Sequence, residues 1–158
     1  MPGAGKTTMG LLLAKYFNKE FIDTDALLEK QHSYSIQFLL DRFGVRKLRK
    51  MEQELLCSLS CDNHIISTGG SAVYSDLAML HLKSSGKIVY LNISSATLRQ
   101  RVDNISSRGL VKSPKDSLMD LYHQRLPLYE KWAEITFDNN RPLSALQFSK
   151  LIAQLESA

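Results

Sequence analysis

Pro2-Gly3-Ala4-Gly5-Lys6-Thr7-Thr8 stands at the head of the chain, and how this run is read decides the fold. It matches the later part of a phosphate-binding loop, G-x-x-x-x-G-K-[ST]. Phosphate oxygens need many donors at short range. Successive backbone N–H groups in a Gly-rich turn supply them, and the N-terminus of the following helix adds a positive dipole end. Gly3 and Gly5 let the backbone approach without a Cβ, and Ala4 and Thr8 complete the cradle. Lys6 is placed to reach the β- and γ-phosphates and the Thr7 hydroxyl to ligate Mg²⁺, so the ligand is a nucleoside triphosphate. The first Gly of the pattern falls one position before Met1. The reading therefore expects the strand that normally precedes such a loop to be absent, and the natural protein to start upstream of Met1.

Working outward, Met9 to Phe17 continues as a helix with an apolar stripe, and helices then alternate with short strands. Strands are expected at Glu20–Asp23, His64–Thr68, Lys87–Leu91 and Glu134–Asp138. Helices are expected at 25–31, 36–43, 48–59, 74–83, 95–103, 118–125, 128–133 and 143–156, with Pro127 separating the sixth from the seventh. Residues 104–115 are polar, contain Gly and Pro and show no periodicity, which predicts a mobile surface loop. This alternation predicts an α/β fold, a three-layer α/β/α parallel sheet with four strands in this chain and the first, central strand missing. We see no repeat and no domain boundary, so residues 1–158 are taken as one domain truncated at its N-terminus.

At 158 residues, 44% hydrophobic and 23% charged, the chain has the composition of a globular protein with a sizeable core. No apolar run reaches the ~18 residues needed to span a membrane. Cys57 and Cys61 lack metal-ligand company and read as reduced thiols of a cytoplasmic protein. The net charge of +4 suits anionic small substrates. Basic residues are dispersed apart from Arg42 to Lys50, and no aromatic-interleaved basic stripe is present, so no nucleic-acid partner is expected. Nothing demands more than a monomer.

Other positions carry chemistry. Asp23 and Asp25 end a strand as D-T-D and share a face. One can hold Mg²⁺ through water while the other faces a substrate hydroxyl; the alternative is a strand-end turn with a helix cap. Gly69-Gly70-Ser71 follows a strand whose C-terminal edge lies near the loop, where ligands of open α/β sheets bind. Arg49, Arg108 and Arg125, each alone, could be surface charges.

Together these stretches resemble the shikimate kinase family, P-loop small-molecule kinases with a nucleoside-monophosphate-kinase-like fold. The carriers are P-G-A-G-K-T-T, F-I-D-T-D, L-R-K-M-E (Leu48 to Glu52), S-T-G-G-S-A-V (Ser67 to Val73), S-R-G-L (Ser107 to Leu110), R-L-P-L-Y-E (Arg125 to Glu130) and R-P (Arg141-Pro142). They occur in family order over nearly the whole chain. The resemblance implies ATP and Mg²⁺, with Lys6 and Thr7 on phosphate and metal and Asp23 on the metal through water. It implies that Asp25 contacts the acceptor hydroxyls and helps deprotonate the attacking one. Arg49 and Arg125 would clamp the acceptor carboxylate, and backbone N–H groups at Gly69 and Gly70, beside Ser71, would orient it. Arg108 would swing in on the lid to neutralise the transferring phosphoryl. Arg101, Arg141 and Pro142 would sit near adenine.

Two positions depart from the family pattern. Ser71 stands where a third glycine is usual, and Gly109 follows Arg108 where proline is usual. The stretch Ser71 to Leu91 also resembles the kinase-like segment of some threonine-synthase-like proteins. The expected reaction is thus phosphorylation of a small hydroxylated carboxylate, first of all the 3-hydroxyl of shikimate. Homoserine or another hydroxy acid is the alternative acceptor, and an inactive nucleotide-binding module or a nucleic-acid-associated NTPase the alternative class.

Overall fold

Residues 1–103 and 117–157 are described by a computed structural model of the chain. The expected lid, with Arg108 and Gly109, lies outside the described residues. In chain order the elements are α1 (Lys6–Phe17), β1 (Glu20–Asp23), α2 (Thr24–His32), α3 (Ile36–Ser58), β2 (His64–Ser67), α4 (Asp76–Ser85), β3 (Val89–Asn92), α5 (Ser95–Asp103), α6 (Leu118–Trp132), β4 (Ile135–Asp138) and α7 (Ala145–Ser157). A single 3₁₀ turn, Ala72–Tyr74, precedes α4.

All four expected strands form, and they are parallel. β1 pairs with β2, Glu20 opposite His64, and β3 pairs with β4, Val89 opposite Ile135. Parallel neighbours need crossover connections. Here α2 and α3 carry the chain from β1 to β2, and α5 and α6 from β3 to β4. Among the described residues the strands make two pairs. A cleft runs between the β2 end at Thr68 and β3 at Val89 and Leu91, with Met1, Ala4 and Lys6 of the loop on its wall.

One apolar cluster nevertheless spans both pairs, joining Met9, Leu13 and Leu56 to Tyr90, Leu91, Trp132, Phe137 and Leu151. A smaller cluster of Leu28, Leu39, Leu48 and Leu55 lies under α2 and α3. Gly10 sets how closely α1 approaches β1, because a Cβ there would fall 2.4 Å from the Phe21 ring. An alanine at this position would require the Phe21 ring or the helix to shift.

The helices differ from expectation at three points. Pro127 does not divide α6, which runs unbroken from Leu118 to Trp132. An interior proline costs a helix about 3 kcal/mol. The buried stripe Leu121, Arg125, Tyr129 and Trp132, spaced at helical intervals, outweighs that cost. The two helices expected at 36–43 and 48–59 join as α3, kinked where Gly44 adopts φ 75° and ψ 168°. Helical structure expected from Tyr74 begins instead at Asp76, capped by the Ser75 hydroxyl on the Ala78 N–H. No helix among the described residues is long and apolar enough to cross a membrane.

Candidate active site

The phosphate loop is held from behind by groups far away in sequence. Gly3 and Gly5 take φ of 65° and 80°, left-handed values that an L side chain resists. The buried Asn139, just past β4, donates from Nδ2 to the Ala4 carbonyl at 2.7 Å. Arg101, on α5, donates to the Gly3 carbonyl at 3.2 Å and to the Asn139 carbonyl at 2.7 Å. Arg101 thus braces the loop itself, a contact the motif did not announce. Arg141 and Pro142 are exposed and follow Asn139 and Asn140 directly. Lys6 donates to the Met1 carbonyl at 3.1 Å.

Asp23 forms the helix cap that the sequence offered as one alternative, and it also reaches the phosphate loop. One carboxylate oxygen accepts the Asp25 and Ala26 N–H groups and caps α2. The other accepts the Thr7 hydroxyl at 3.2 Å. A hydroxyl and a carboxylate side by side are the hard oxygen donors Mg²⁺ takes when phosphates and water complete its shell. The described residues contain no cluster of three or more His, Cys, Asp or Glu able to cage a metal.

The Gly69-Gly70-Ser71 turn is where the acceptor-side residues meet. A methyl group on Gly69 would fall 2.5 Å from Asp25 Oδ1 and 2.6 Å from Glu52 Oε1. One on Gly70 would fall 2.7 Å from a terminal nitrogen of Arg125 and 3.3 Å from Tyr129 Oη. The glycines therefore let two carboxylates and a guanidinium close on bare backbone. The Gly69 N–H, however, donates to Thr24 Oγ1 at 3.0 Å in a buried bond. The Gly69 N–H, expected to orient the acceptor, is thus also tied to α2. Tyr129 fixes the turn from the other side by donating to the Gly70 carbonyl at 2.8 Å. The Lys6 side of the phosphate loop and the Gly69-Gly70 turn line the same cleft.

Sequence reasoning passed over Glu52, although it quoted the motif that contains it. Glu52 is only 7% exposed, and the Ser71 hydroxyl, itself buried, donates to its carboxylate. Burial, with the Asp25 carboxylate in the same direction, pushes its pKa up to about 7, while the Ser71 hydrogen bond, Arg125 and Arg49 pull against that rise. Its position three residues after Arg49, an acid within the buried stripe of α3, was the available signal. The serine that departs from the family pattern thus turns its hydroxyl onto Glu52. Arg125 is 2% exposed and Arg49 half-buried. Two cations and two carboxylates surround the turn, and protonation of Glu52 leaves the cations in excess.

Comparison with known proteins agrees with this geometry. The family model described as "Shikimate kinase" matches residues 2–156. The shikimate kinase of Thiobacillus denitrificans is 35% identical over 142 residues, 88% of this chain and 78% of the relative. That of Haemophilus influenzae strain PittEE is 31% identical over 159 residues, 98% of this chain and 88% of the relative. Among solved structures, the shikimate kinase of Acinetobacter baumannii in complex with shikimate superposes with a TM-score of 0.88 at 30% identity, covering 98% of this chain and 88% of that one. The Aquifex aeolicus enzyme gives 0.80 at 28% identity, over 99% and 92%. The parallel strands and the structural likeness are those of an α/β P-loop kinase, and with the family model matched over nearly its whole length this chain belongs to the shikimate kinase family.

Proposed function

We propose that the chain transfers the γ-phosphoryl group of ATP to the 3-hydroxyl of shikimate. The observation that carries this reading is the meeting of Asp25 and Arg125 around Gly69-Gly70, with the phosphate loop tied through Thr7 to Asp23, two residues before Asp25. Phosphoryl transfer needs in-line oxygens and neutralised charge more than covalent participation by the protein. Asp25 holds the attacking hydroxyl and receives its proton as the oxygen–phosphorus bond forms. Arg49 and Arg125 take the carboxylate of the acceptor, where a planar guanidinium can pair through two bonds. Lys6 and the loop N–H groups hold the phosphates, so the departing ADP leaves as a stabilised anion. Mg²⁺, held by Thr7 and through water by Asp23, supplies charge neutralisation at the phosphates when bound. Family resemblance adds Arg108 on the lid as a further cation toward the transferred group, with Arg101, Arg141 and Pro142 toward adenine and the Gly70 N–H beside the acceptor. We further propose a cytoplasmic monomer of one domain with no nucleic-acid partner.

The test is a pair of single substitutions, Arg49→Ala and Arg125→Ala. Each raises KM for shikimate at least tenfold while KM for ATP changes less than threefold. Unchanged shikimate kinetics in both variants rejects the clamp and with it the acceptor.

A further inference from the structure

Tyr74 has no part in the reaction as derived above, yet it lies against the acceptor clamp. It ends the 3₁₀ turn that follows Gly69-Gly70-Ser71, and its N–H donates to the Ser71 carbonyl at 3.0 Å. The Arg49 Cζ lies 3.7 Å from the centroid of the Tyr74 ring, and the Arg125 Cζ lies 5.5 Å from the same centroid. The shorter separation is van der Waals contact between a guanidinium and an aromatic face. The Tyr74 hydroxyl and Arg49 Nε are buried and have no hydrogen-bond partner among the described residues. The phenol is therefore not held at its polar end, and its ring is what engages the two cations.

Two guanidiniums brought to one site repel each other, and a long arginine side chain has many rotamers. A π face beneath both counters the first effect by cation–π attraction, which strengthens where water is excluded. It counters the second by fixing the guanidinium plane, and pairing with a carboxylate through two bonds depends on that plane. We propose that Tyr74 is a positioning residue of the acceptor site, its ring holding the Arg49 and Arg125 guanidiniums in the plane from which they take the acceptor's carboxylate. This rests on the clamp assigned under the proposed function and extends it to a residue outside the quoted motifs.

Tyr74→Leu and Tyr74→Phe separate the ring from the hydroxyl. We expect Tyr74→Leu to raise KM and Kd for shikimate about tenfold, with KM for ATP unchanged within twofold, the size of one partly desolvated cation–π contact. Tyr74→Phe keeps both constants within twofold of the wild type. Shikimate binding unchanged in the leucine variant, or lost equally in both variants, overturns the proposal. A double-mutant cycle with Arg49→Lys guards against loss of fold. The lysine change costs less in the Tyr74→Leu background than beside the native tyrosine if the two side chains act together, and strictly additive effects overturn the proposal. Calorimetric titration of shikimate into the wild-type chain separates this proposal from the function reading. Binding without turnover rejects the reaction while the Tyr74 comparison stands on Kd, and absence of binding rejects both.

Discussion

Glu52→Gln removes a titrating proton from the centre of the acceptor site and keeps its shape. Glu52 is buried, faces Asp25, Arg49 and Arg125, and accepts the Ser71 hydroxyl. Its pKa rises from 4.5 to about 7 on folding. The sign follows from proton counting. Below pH 4.5 the group is protonated in both states and stability is unaffected. Between 4.5 and about 7 the unfolded chain ionises first, so the folded state binds more protons and stability falls as pH rises. Above about 7 both states are ionised and the loss is complete, about 3 kcal/mol at ~1.4 kcal/mol per pH unit. Glutamine resembles the protonated acid and carries none of this loss. The variant is therefore expected to be more stable than the wild type by about 1 kcal/mol at pH 5 and about 3 kcal/mol at pH 8. Urea unfolding followed by fluorescence of Trp132, the one tryptophan in the sequence and a buried one, reads the difference. An advantage of the same size at both pH values would refute the reasoning, because it would mean that Glu52 does not change its proton affinity on folding.

Three further outcomes follow from the same geometry. Gly69→Ala drives a methyl group into Asp25 and Glu52; it should cost about 1–3 kcal/mol in urea unfolding and raise KM for shikimate more than KM for ATP. Asn139→Ala removes the buried donor to the Ala4 carbonyl. We expect KM for ATP to rise about tenfold, a loss of about 1–1.5 kcal/mol, with shikimate binding measured by calorimetry unchanged. Asp23→Ala deletes both the α2 cap and the partner of Thr7. It should lower stability by about 1 kcal/mol and shift the Mg²⁺ dependence of turnover to higher concentration, whereas Ser75→Ala, which removes only the α4 cap, should lower stability without moving the Mg²⁺ dependence.

The parts of this fold visible in the sequence are those written in local chemistry. Gly3, Gly5, Lys6 and Thr7 declare a phosphate loop through spacing alone. The four strands end within two residues of expectation because each is a short apolar run bounded by polar or Gly positions. Pro127 misled because its helical penalty is local, while the stripe that outweighs it depends on tertiary burial. Asn139, Thr24 and Glu52 stayed hidden for the same reason. Their partners Ala4, Gly69 and Ser71 lie 135, 45 and 19 residues away. No spacing rule links an asparagine after the last strand to the first loop. Tyr74 looked like the first residue of a helix, and only the distances to Arg49 and Arg125 give it a place in the site. Arg101 was assigned toward adenine, and its contacts with Gly3 and Asn139 add a brace of the loop that only the folded chain displays.

The most direct measurement is ADP release by this chain with ATP and Mg²⁺, in parallel with shikimate, homoserine, gluconate or no acceptor. The account predicts ADP formation that depends on shikimate, saturates with it and stays at background with the other three. Equal ADP release with and without shikimate, or turnover driven by homoserine or gluconate instead, would contradict it.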